Sequence, residues 1–346
     1  MAKTRVLIVD DSALVRRILS TALARDPDIE VVGTAQDPYV AKDKINELKP
    51  DVLTLDVEMP RMHGLTFLRI LMEKRPMPVV MVSSLTESGA DVTLQALELG
   101  AVDFVTKPKL DLNDGLGILM PEIVEKVKAA ARVRPARRVA DAGGPQKPVV
   151  VPRLGRTTQQ ILAIGASTGG TEAIREVLQS MPPDAPGMVI VQHMPERFTR
   201  AFAQRLDAQC PPNVTEATDG ERVIAGKVLI APGAYHMRLV REGAEYRVRI
   251  DQSEPVNRHR PSVDVLFESV AEAAGKNAVG VILTGMGDDG ARGLCTMRDA
   301  GAHTIAQDRE SCVVFGMPRE AIALGGAEEV LPLSQIGAAA LRRITA

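Results

Sequence analysis

Reactive side chains follow short apolar runs in the first third of the chain. Asp10 and Asp11 come directly after the first run, Asp56 after the third, Ser83 ends the fourth, and Lys107 follows the fifth. Parallel strands present their carboxyl ends at one sheet edge, so we expect these side chains to converge. Clustered carboxylates repel one another, and Mg²⁺, which prefers oxygen ligands, relieves that repulsion. The pattern predicts phosphoryl transfer to Asp56, with Lys107 and Ser83 binding the other phosphoryl oxygens.

Helix capping is the alternative explanation for part of this pattern. Asp10, Asp11 and Ser12 precede a helical segment, and any of them alone could cap it. Lys107 alone could be a surface charge. These residue types occur, however, at the ends of four predicted strands in chain order, which favours a site over a set of unrelated caps.

A glycine-rich turn with a central serine lies near the middle of the chain. GASTGG, residues 165–170, follows the apolar run ILAI. A dinucleotide-binding fingerprint needs glycine where Ser167 lies, and a P-loop needs a lysine and a hydroxyl where Thr171 and Glu172 lie. The turn also fits GxSxG, which holds a serine hydroxyl at a helix N-terminus, where backbone NH groups favour an oxyanion. The motif alone leaves a nucleophile and a steric role for the small residues both open.

Candidate partners for Ser167 follow later strands. Among five histidines, His193 directly follows the run MVIVQ, which puts it at the same predicted sheet edge as Ser167 and makes it the plausible general base. Asp288 and Asp289 follow the run VGVILT, and either could orient the imidazole or cap the next helix. The order Ser, His, Asp differs from that of familiar hydrolases, but triads are defined by geometry. The residues alone leave the choice between the two aspartates open.

A regular alternation of apolar runs and amphipathic segments must position these residues. The first part predicts a doubly wound α/β fold with five parallel strands, at residues 6–9, 31–34, 52–55, 79–82 and 103–105. The rhythm then resumes and predicts a second domain, an α/β sandwich with a mostly parallel sheet, from runs at residues 161–165, 188–192 and 279–284. Shorter strands at 227–231 and 246–250 lie in a stretch, 213–262, where we expect an antiparallel hairpin.

A change in composition separates the two predicted domains. Residues 133–156 combine prolines, a Gly-Gly pair and basic side chains without a helical or strand period. We therefore expect domains at 1–128 and 157–346, joined by a linker at 129–156. Its arginines are expected to be solvated linker charges rather than a site for an acidic partner: Arg132, Arg134, Arg137, Arg138, Arg153 and Arg156.

Length and composition exclude several classes of protein. A chain of 346 residues suggests two domains that are each large enough to bury a core. Lys and Arg number 42 against 44 acidic residues, and aromatic residues make up 3% with no Trp, which argues against nucleic-acid binding. The N-terminus lacks a signal peptide and no apolar stretch is long enough for a membrane span. With three cysteines and no CxxC spacing, we expect a soluble, cytoplasmic protein.

Residues 3–128 resemble the receiver domain of two-component response regulators, which has a flavodoxin-like fold. The resemblance implies that Asp56 is the phospho-acceptor. It also implies that Asp10, Asp11 and Asp56, with the backbone carbonyl of Glu58, hold a Mg²⁺ ion that phosphorylation requires.

The same resemblance assigns two switch positions in the predicted receiver. Ser83 matches the switch hydroxyl, which is usually Thr or Ser, and Phe104 matches the aromatic switch. From the residues alone, Phe104 is a core residue. Lys107 takes the place of the receiver lysine, in agreement with the charge argument made above.

Five motifs of the second part occur in the order found in one family of esterases. GASTGG, VQHMP, APG, NRHRPSVDVLF and LTGMGDDGA resemble the catalytic domain of the chemotaxis protein-glutamate methylesterases, and the whole chain resembles the CheB architecture of receiver, linker and esterase. The resemblance implies that Ser167 is the nucleophile and His193 the base. It selects Asp289, rather than Asp288, as the orienting carboxylate.

The family resemblance also extends to residues around the predicted triad. Thr168 and the backbone NH of Met286 are implied to support the oxyanion. Asp288 stands where many family members have Asn, and we expect it at the surface. The esterase site needs neither a metal nor another cofactor.

The activity implied is hydrolysis of glutamate γ-methyl esters on methylated chemoreceptors, with release of methanol, and deamidation of receptor glutamines. A chemotaxis sensor histidine kinase is the implied phosphodonor, and phosphorylation of Asp56 is expected to relieve inhibition by the receiver. A response regulator whose second domain binds DNA or another protein is one alternative. A DNA-binding output usually has a compact helical module with a basic recognition helix, and nothing after residue 157 has that pattern. A nucleotide-dependent transferase is another, and the failed glycine motifs weigh against it. We expect no nucleic-acid partner and no membrane insertion.

Overall fold

The computed structural model describes residues 2–84, 86–107, 115–133 and 160–345. The chain divides into two compact units, Met1–Ala142 and Gly143–Ala346. The predicted linker at 129–156 lies mostly outside the described residues, and its predicted boundaries stay a prediction. In the parts of the chain that are described, no helix is long and apolar enough to cross a membrane.

The described residues of the first unit form one parallel sheet of five strands in the order β2-β1-β3-β4-β5. The strands are β1 Thr4–Val9, β2 Ile29–Ala35, β3 Val52–Asp56, β4 Val79–Ser83 and β5 Asp103–Thr106. The helices are α1 Ala13–Leu23, α2 Pro38–Leu48, α3 Gly64–Lys74, α4 Glu87–Glu98 and α5 Gly115–Ala130. The doubly wound fold predicted from the apolar runs is confirmed.

Strand order in this sheet reverses at β1, whose two neighbours are β2 and β3. The buried apolar runs of β1, β3 and β4 make the centre of the sheet, because helices cover both of its faces. Ser12 caps α1 by accepting a hydrogen bond from the backbone NH of Val15. The crevice at such a reversal is where open α/β sheets place their ligands, and here it lies between the ends of β1 and β3.

The described residues of the second unit form a parallel sheet of seven strands and a separate two-stranded hairpin. The large sheet has the order β14-β13-β12-β6-β7-β9-β8. Its strands are β6 Ile161–Ala166, β7 Gly187–Gln192, β8 Asn213–Glu216, β9 Lys227–Ile230, β12 Ala278–Ile282, β13 His303–Gln307 and β14 Glu329–Leu331. The helices are α6 Gly170–Gln179, α7 Phe198–Gln209, α8 Val263–Ala274, α9 Ala291–Asp299, α10 Met317–Ala323 and α11 Leu333–Thr345.

An antiparallel hairpin, predicted for the stretch 213–262, is present. It consists of β10 His236–Glu242 and β11 Glu245–Asp251. The run YRVRI belongs to β11, whereas KVLIA forms β9 and pairs in parallel with β7 in the large sheet. Met237, Leu239 and Val248 of the hairpin share an apolar core with residues of α8, and the backbone NH of Leu239 donates to Ser269 Oγ of α8 at 2.9 Å. The hairpin therefore packs on the helix that follows it in sequence.

The central strands of the large sheet bring the candidate site together. β6 lies between β12 and β7, and all three are parallel. Ala166 pairs with Gln192 at the ends of β6 and β7, so Ser167 and His193 are the next residues on neighbouring strands. The backbone NH of Ser167 donates to Thr284 O, just after β12, at 3.0 Å. The edge predicted from the sequence therefore carries residues from three adjacent strands.

Gly165 allows the start of α8 to lie close against β6. A methyl group added at this glycine would overlap Val263 Cγ1. We expect Gly165→Ala to lower the free energy of unfolding of the second unit by about 1–3 kcal/mol, because overpacking forces side chains or backbone to shift. Hydrogen exchange of the β6 and β12 amides measures this free energy. The same substitution in a Val263→Ala background is expected to cost less, and additive penalties would contradict the proposed overlap.

Candidate functional site

Three carboxylates converge at the reversal point of the first sheet. The side chains of Asp10, Asp11 and Asp56 each offer an oxygen within 4.8 Å of the others. Asp10 and Asp56 are fully buried, whereas Asp11 is exposed. Burial raises the pKa of Asp56 to about 6, and it also raises the pKa of Asp10. Buried carboxylates with raised pKa values are a usual environment for a bound cation.

Lys107 neutralises part of this negative charge. Its Nζ lies 2.7 Å from Asp56 Oδ2 and 3.5 Å from Asp10 Oδ2. The Asp10 oxygen is buried and makes no hydrogen bond within the part of the chain that is described. The backbone NH of Glu58 donates to Asp56 Oδ1 at 3.2 Å, which places the Glu58 backbone beside the cluster. Within those residues, Asp10 Oδ2 thus has only the 3.5 Å ion pair with Lys107, and together with the other carboxylate oxygens it fits a hard divalent cation such as Mg²⁺.

The hydroxyl of Ser83 takes part in hydrogen bonds to α4. Thr93 Oγ1 donates to Ser83 Oγ at 2.7 Å and also lies 2.6 Å from Gly89 O. Ser83 Oγ lies 3.3 Å from the same carbonyl. Ser83 and Thr93 are fully buried. The predicted switch hydroxyl is thus held by the first turns of α4 in this state of the chain.

Phe104, the other predicted switch residue, lies inside the first unit. Its side chain is buried, and its ring packs 5.2 Å from Lys126 Nζ in a cation–π contact. Lys126 Nζ also donates to Phe104 O at 2.6 Å and pairs with Asp103 and Glu122. The core position expected from the residues alone therefore describes Phe104 correctly in this state.

The serine turn of the second unit is fixed at both of its ends. The Ser167 carbonyl accepts hydrogen bonds from the backbone NH of Gly170 at 2.7 Å and from Gln192 Nε2 at 2.9 Å. Gly169 has φ of +79°, and a side chain there would overlap Val313. Ser167 is therefore held just before the N-terminus of α6, where unpaired backbone NH groups favour negative charge.

Asp289 accepts hydrogen bonds through both of its carboxylate oxygens. The side chain is 1% exposed. Oδ2 lies 2.8 Å from His193 Nε2 and 2.6 Å from the Val263 backbone NH. Oδ1 accepts from Ser262 Oγ and from Asn257 Nδ2, both at 2.7 Å. Burial acts to raise the pKa of Asp289, but these hydrogen bonds and the charge of His193 outweigh it and hold the pKa well below 3.8.

The ionised carboxylate determines which nitrogen of His193 carries the proton. A carboxylate only accepts hydrogen bonds, so His193 Nε2 is the donor to Asp289 in the neutral imidazole. His193 Nδ1 then carries the lone pair. This nitrogen is buried and has no hydrogen-bond partner among the described residues. The His–Asp pair therefore leaves His193 Nδ1 without a partner among the described residues, while the His193 backbone NH donates to Ala166 O, next to Ser167, at 3.1 Å.

The other predicted site residues surround this pair. Thr168 is buried, and its carbonyl accepts from Thr284 Oγ1 at 3.0 Å. A methyl group on Gly285 would lie 2.9 Å from Ser167 Cβ, so the backbone just before Met286 lies against the serine. Asp288 is exposed, whereas Asp289 contacts His193. The roles of Thr168 and Met286 toward an oxyanion stay predictions.

Sequence reasoning missed three residues that contact the His–Asp pair. Asn257 and Ser262 bind the Asp289 carboxylate, and the ring of His259 stacks on the ring of His193. They lie in the segment between β11 and α8. The dense run of polar residues there, NRHRPS, was a usable signal, but the segment has no strand or helix period that indicates where its side chains point.

The fold and the two sites define a response regulator whose output domain carries a serine, a histidine and an aspartate at one sheet edge. The response regulator receiver domain model matches residues 6–114, and the CheB methylesterase model matches residues 162–340. The chain belongs to the CheB methylesterase family.

Relatives of similar length support this membership. The protein-glutamate methylesterase/protein-glutamine glutaminase of Bordetella parapertussis is 60% identical over 99% of this chain and 98% of its own. The protein of the same name from Pectobacterium atrosepticum is 57% identical over 100% of this chain and 98% of its own. The crystal structure of the Thermotoga maritima CheB methylesterase catalytic domain is 40% identical, with a TM-score of 0.52, over 54% of this chain and 98% of that one.

The Asp289 network predicts a pH-dependent effect on stability. The folded-state pKa of Asp289 is below its ordinary 3.8, so ionisation stabilises the fold above pH 3.8 and this stabilisation is lost as the pH falls further. We expect Asp289→Asn to cost about 1–3 kcal/mol at pH 7, because the amide leaves buried donors unsatisfied. The penalty is expected to shrink below pH 3.8, as measured by hydrogen exchange of β12 between pH 7 and pH 3.

The neighbouring residue provides a matched control for this prediction. Asp288 is exposed, so Asp288→Asn is expected to change stability by less than about 0.5 kcal/mol at any pH in that range. Equal effects of the two substitutions would contradict the assignment of Asp289 as the buried acceptor.

Proposed function

We propose that this chain hydrolyses glutamate γ-methyl esters of chemoreceptors and releases methanol, and that it deamidates receptor glutamines at the same site. The observation that carries the proposal is the 2.8 Å contact of His193 Nε2 with the buried carboxylate of Asp289, beside the Ser167 turn. The names of the relatives from Bordetella parapertussis and Pectobacterium atrosepticum supply the substrate class.

The proposed chemistry proceeds through an acyl-enzyme. Ser167 Oγ attacks the ester carbonyl and passes its proton to His193 Nδ1, while Asp289 stabilises the imidazolium through Nε2. His193 returns the proton to the departing methoxide, and methanol leaves. Water then attacks the acyl-enzyme with His193 again as base, which frees Ser167 and leaves a glutamate side chain on the receptor. For a glutamine substrate the leaving group is ammonia.

The oxyanion formed in both steps needs hydrogen-bond donors. We assign this role to the region around Thr168 and the backbone NH of Met286, next to the N-terminus of α6. Support comes from the close approach of Gly285 to Ser167. None of these steps calls for a metal or an organic cofactor.

The first unit is proposed to be the receiver that controls this activity. Asp56 accepts a phosphoryl group, Lys107 binds its oxygens, and Ser83 and Phe104 change position in response. Asp10, Asp11, Asp56 and the carbonyl of Glu58 are the proposed holders of Mg²⁺, which would neutralise charge as the phosphoryl group transfers. Support comes from the three carboxylates within 4.8 Å of one another and from Asp10 Oδ2, which is buried and accepts no hydrogen bond from the described residues.

We further propose that phosphorylation of Asp56 relieves inhibition of the esterase by the receiver. The phosphoryl group adds about 1.5 to 2 negative charges to the site. A chemotaxis sensor histidine kinase is the proposed phosphodonor, and methylated chemoreceptors are the proposed substrates, in the cytoplasm. The proposed domain limits are 1–128 for the receiver, 129–156 for the linker and 157–346 for the esterase.

Methanol release from methylated chemoreceptor membranes tests the two sites together. With Mg²⁺ and a small phosphodonor we expect the rate to rise for the wild-type chain. Asp56→Asn is expected to abolish the rise and to keep the basal rate. Ser167→Ala is expected to lower kcat by about 10⁴- to 10⁶-fold, because it removes the nucleophile.

A second serine serves as the control for this experiment. Ser180 is half-buried at the far end of α6, and its hydroxyl donates to Val177 O at 2.7 Å. Ser180→Ala is expected to leave the rate within about twofold, because this hydroxyl bonds its own helix at the end away from Ser167. Normal methanol release by Ser167→Ala would contradict the proposed mechanism.

The Mg²⁺ site can be tested without any turnover. Titration of the full chain with Mg²⁺ by calorimetry is expected to show one site in the first unit, and Asp11→Asn is expected to weaken it by about tenfold, because one of the three carboxylate ligands loses its charge. Asp43, an exposed residue of α2, provides the control, since Asp43→Asn is expected to leave the affinity unchanged. Equal affinities for all three chains would contradict the assignment.

A further inference from the structure

The ring of His259 lies flat against the ring of His193. The ring centroids are 3.8 Å apart and the ring planes differ by 13°. His259 belongs to the loop between β11 and α8, which is residues 252–262, whereas His193 follows β7. The reaction steps proposed above use His193 but assign nothing to His259.

The loop is built to hold His259 in this place. Asn257 and Arg258 have φ of 51° and 69°, in the left-handed region that non-glycine residues seldom occupy. Around them the backbones of Val256 and His259 exchange two hydrogen bonds, of 3.1 and 2.8 Å. A tight turn of this kind is strained and persists only where its surroundings fix it.

Asn257 fixes the turn to the catalytic carboxylate. Its Nδ2 group donates to Asp289 Oδ1 and to Asp264 Oδ2, both at 2.7 Å. Asp264 is itself buried and accepts from the Gly293 backbone NH at 2.7 Å. The same turn therefore touches both members of the pair, with Asn257 on Asp289 and His259 on His193.

His236 fixes the two ends of the loop. This fully buried residue of β10 lies 3.1 Å from Glu254 O through Nε2 and accepts from the Ser262 backbone NH through Nδ1 at 3.2 Å. Ser262 in turn donates to Asp289 through its hydroxyl. The loop is thus anchored at residues 254, 257 and 262, and His259 lies between the last two anchors.

One hydrogen bond does not fix the plane of an imidazole. His193 is held by its Nε2 contact with Asp289, and its Nδ1 has no partner in the described chain. A single bond defines an axis, and the ring can tilt about it. Contact over a ring face removes that freedom.

We propose that His259 is a positioning residue for the general base, whose ring fixes the plane of the His193 imidazole so that Nδ1 stays in place for the proton of Ser167. This inference rests on the role of His193 proposed above. It assigns the loop at residues 252–262 a role in addition to connecting the hairpin to α8: Asn257 orients the Asp289 carboxylate, and His259 orients the His193 imidazole. Misplacement of a catalytic group by about 1 Å costs up to about a hundredfold in rate.

Two substitutions of His259 separate ring contact from simple filling of space. His259→Leu keeps a similar volume without a flat ring, whereas His259→Phe keeps the ring. We expect the Leu variant to lose about tenfold in kcat for methanol release with KM within about twofold, because positioning acts in the transition state. The Phe variant is expected to stay within about threefold of the wild-type kcat. Gln252→Ala, an exposed change in the same loop, is the matched control and is expected to leave kcat within about twofold.

A second measurement does not depend on the substrate. In the full chain with ¹⁵N-labelled histidine, the Nε2 proton of His193 that is bonded to Asp289 gives a downfield signal, assigned with a His193→Gln variant. We expect this signal in the wild type and the Phe variant, and its broadening or loss in the Leu variant. Thermal unfolding verifies that each variant is folded.

These measurements distinguish failure of the inference from failure of the proposed function. If the wild type releases no methanol, the proposed substrate is wrong, but the His193 signal still decides the role of His259. Equal behaviour of the Leu and Phe variants, in kcat or in the His193 signal, overturns the proposal. A loss confined to the Leu variant supports it.

Discussion

An ionised carboxylate with more than one donor on each oxygen organises the second unit. Asp289 binds His193 from the end of β7, the Val263 backbone at the start of α8, and both Asn257 and Ser262 from the loop before it. Burying a charge is costly unless it is well hydrogen-bonded. The network therefore requires three distant segments to fold together around one side chain. The same network sets the tautomer of His193, so folding and the protonation of the His193 ring depend on the same bonds.

Both units use the carboxyl ends of parallel strands, but they manage charge in opposite ways. In the first unit, carboxylates crowd together and burial raises the pKa of Asp56 to about 6. In the second unit, donors surround one carboxylate and lower its pKa. A crowded acidic cluster favours an incoming cation, whereas a satisfied carboxylate supports a neighbouring imidazolium. The donors around each carboxylate, rather than the fold, account for this difference.

The parts of the structure that depend on local pattern could be predicted from the sequence. Continuous apolar runs predicted the central strands. The expectation that residues after parallel strands meet at one sheet edge correctly grouped Asp10 with Asp56 and Ser167 with His193. Strand β14, whose three residues are too few to show an alternation, and the partners of buried hydroxyls could not be predicted. Thr93 binds Ser83 from the next helix, and His259 reaches His193 from an aperiodic loop. Such contacts depend on tertiary packing between distant segments, and this packing leaves no periodic pattern in a single sequence.

The hydroxyl pair of Ser83 and Thr93 has a consequence for the resting enzyme. In the switch proposed above, a turn of Ser83 toward a phosphoryl group would break its hydrogen bond from Thr93, while Thr93 would still have Gly89 O at 2.6 Å. A hydrogen bond exchanged in this way is worth about 0.5–1.5 kcal/mol. If this free energy alone separated the two Ser83 rotamers, roughly a tenth to a third of the molecules would have the rotamer without the Thr93 hydrogen bond, since about 1.4 kcal/mol corresponds to a factor of ten. For the receiver proposed above, so small a difference in free energy would make the response to phosphorylation graded rather than all-or-none.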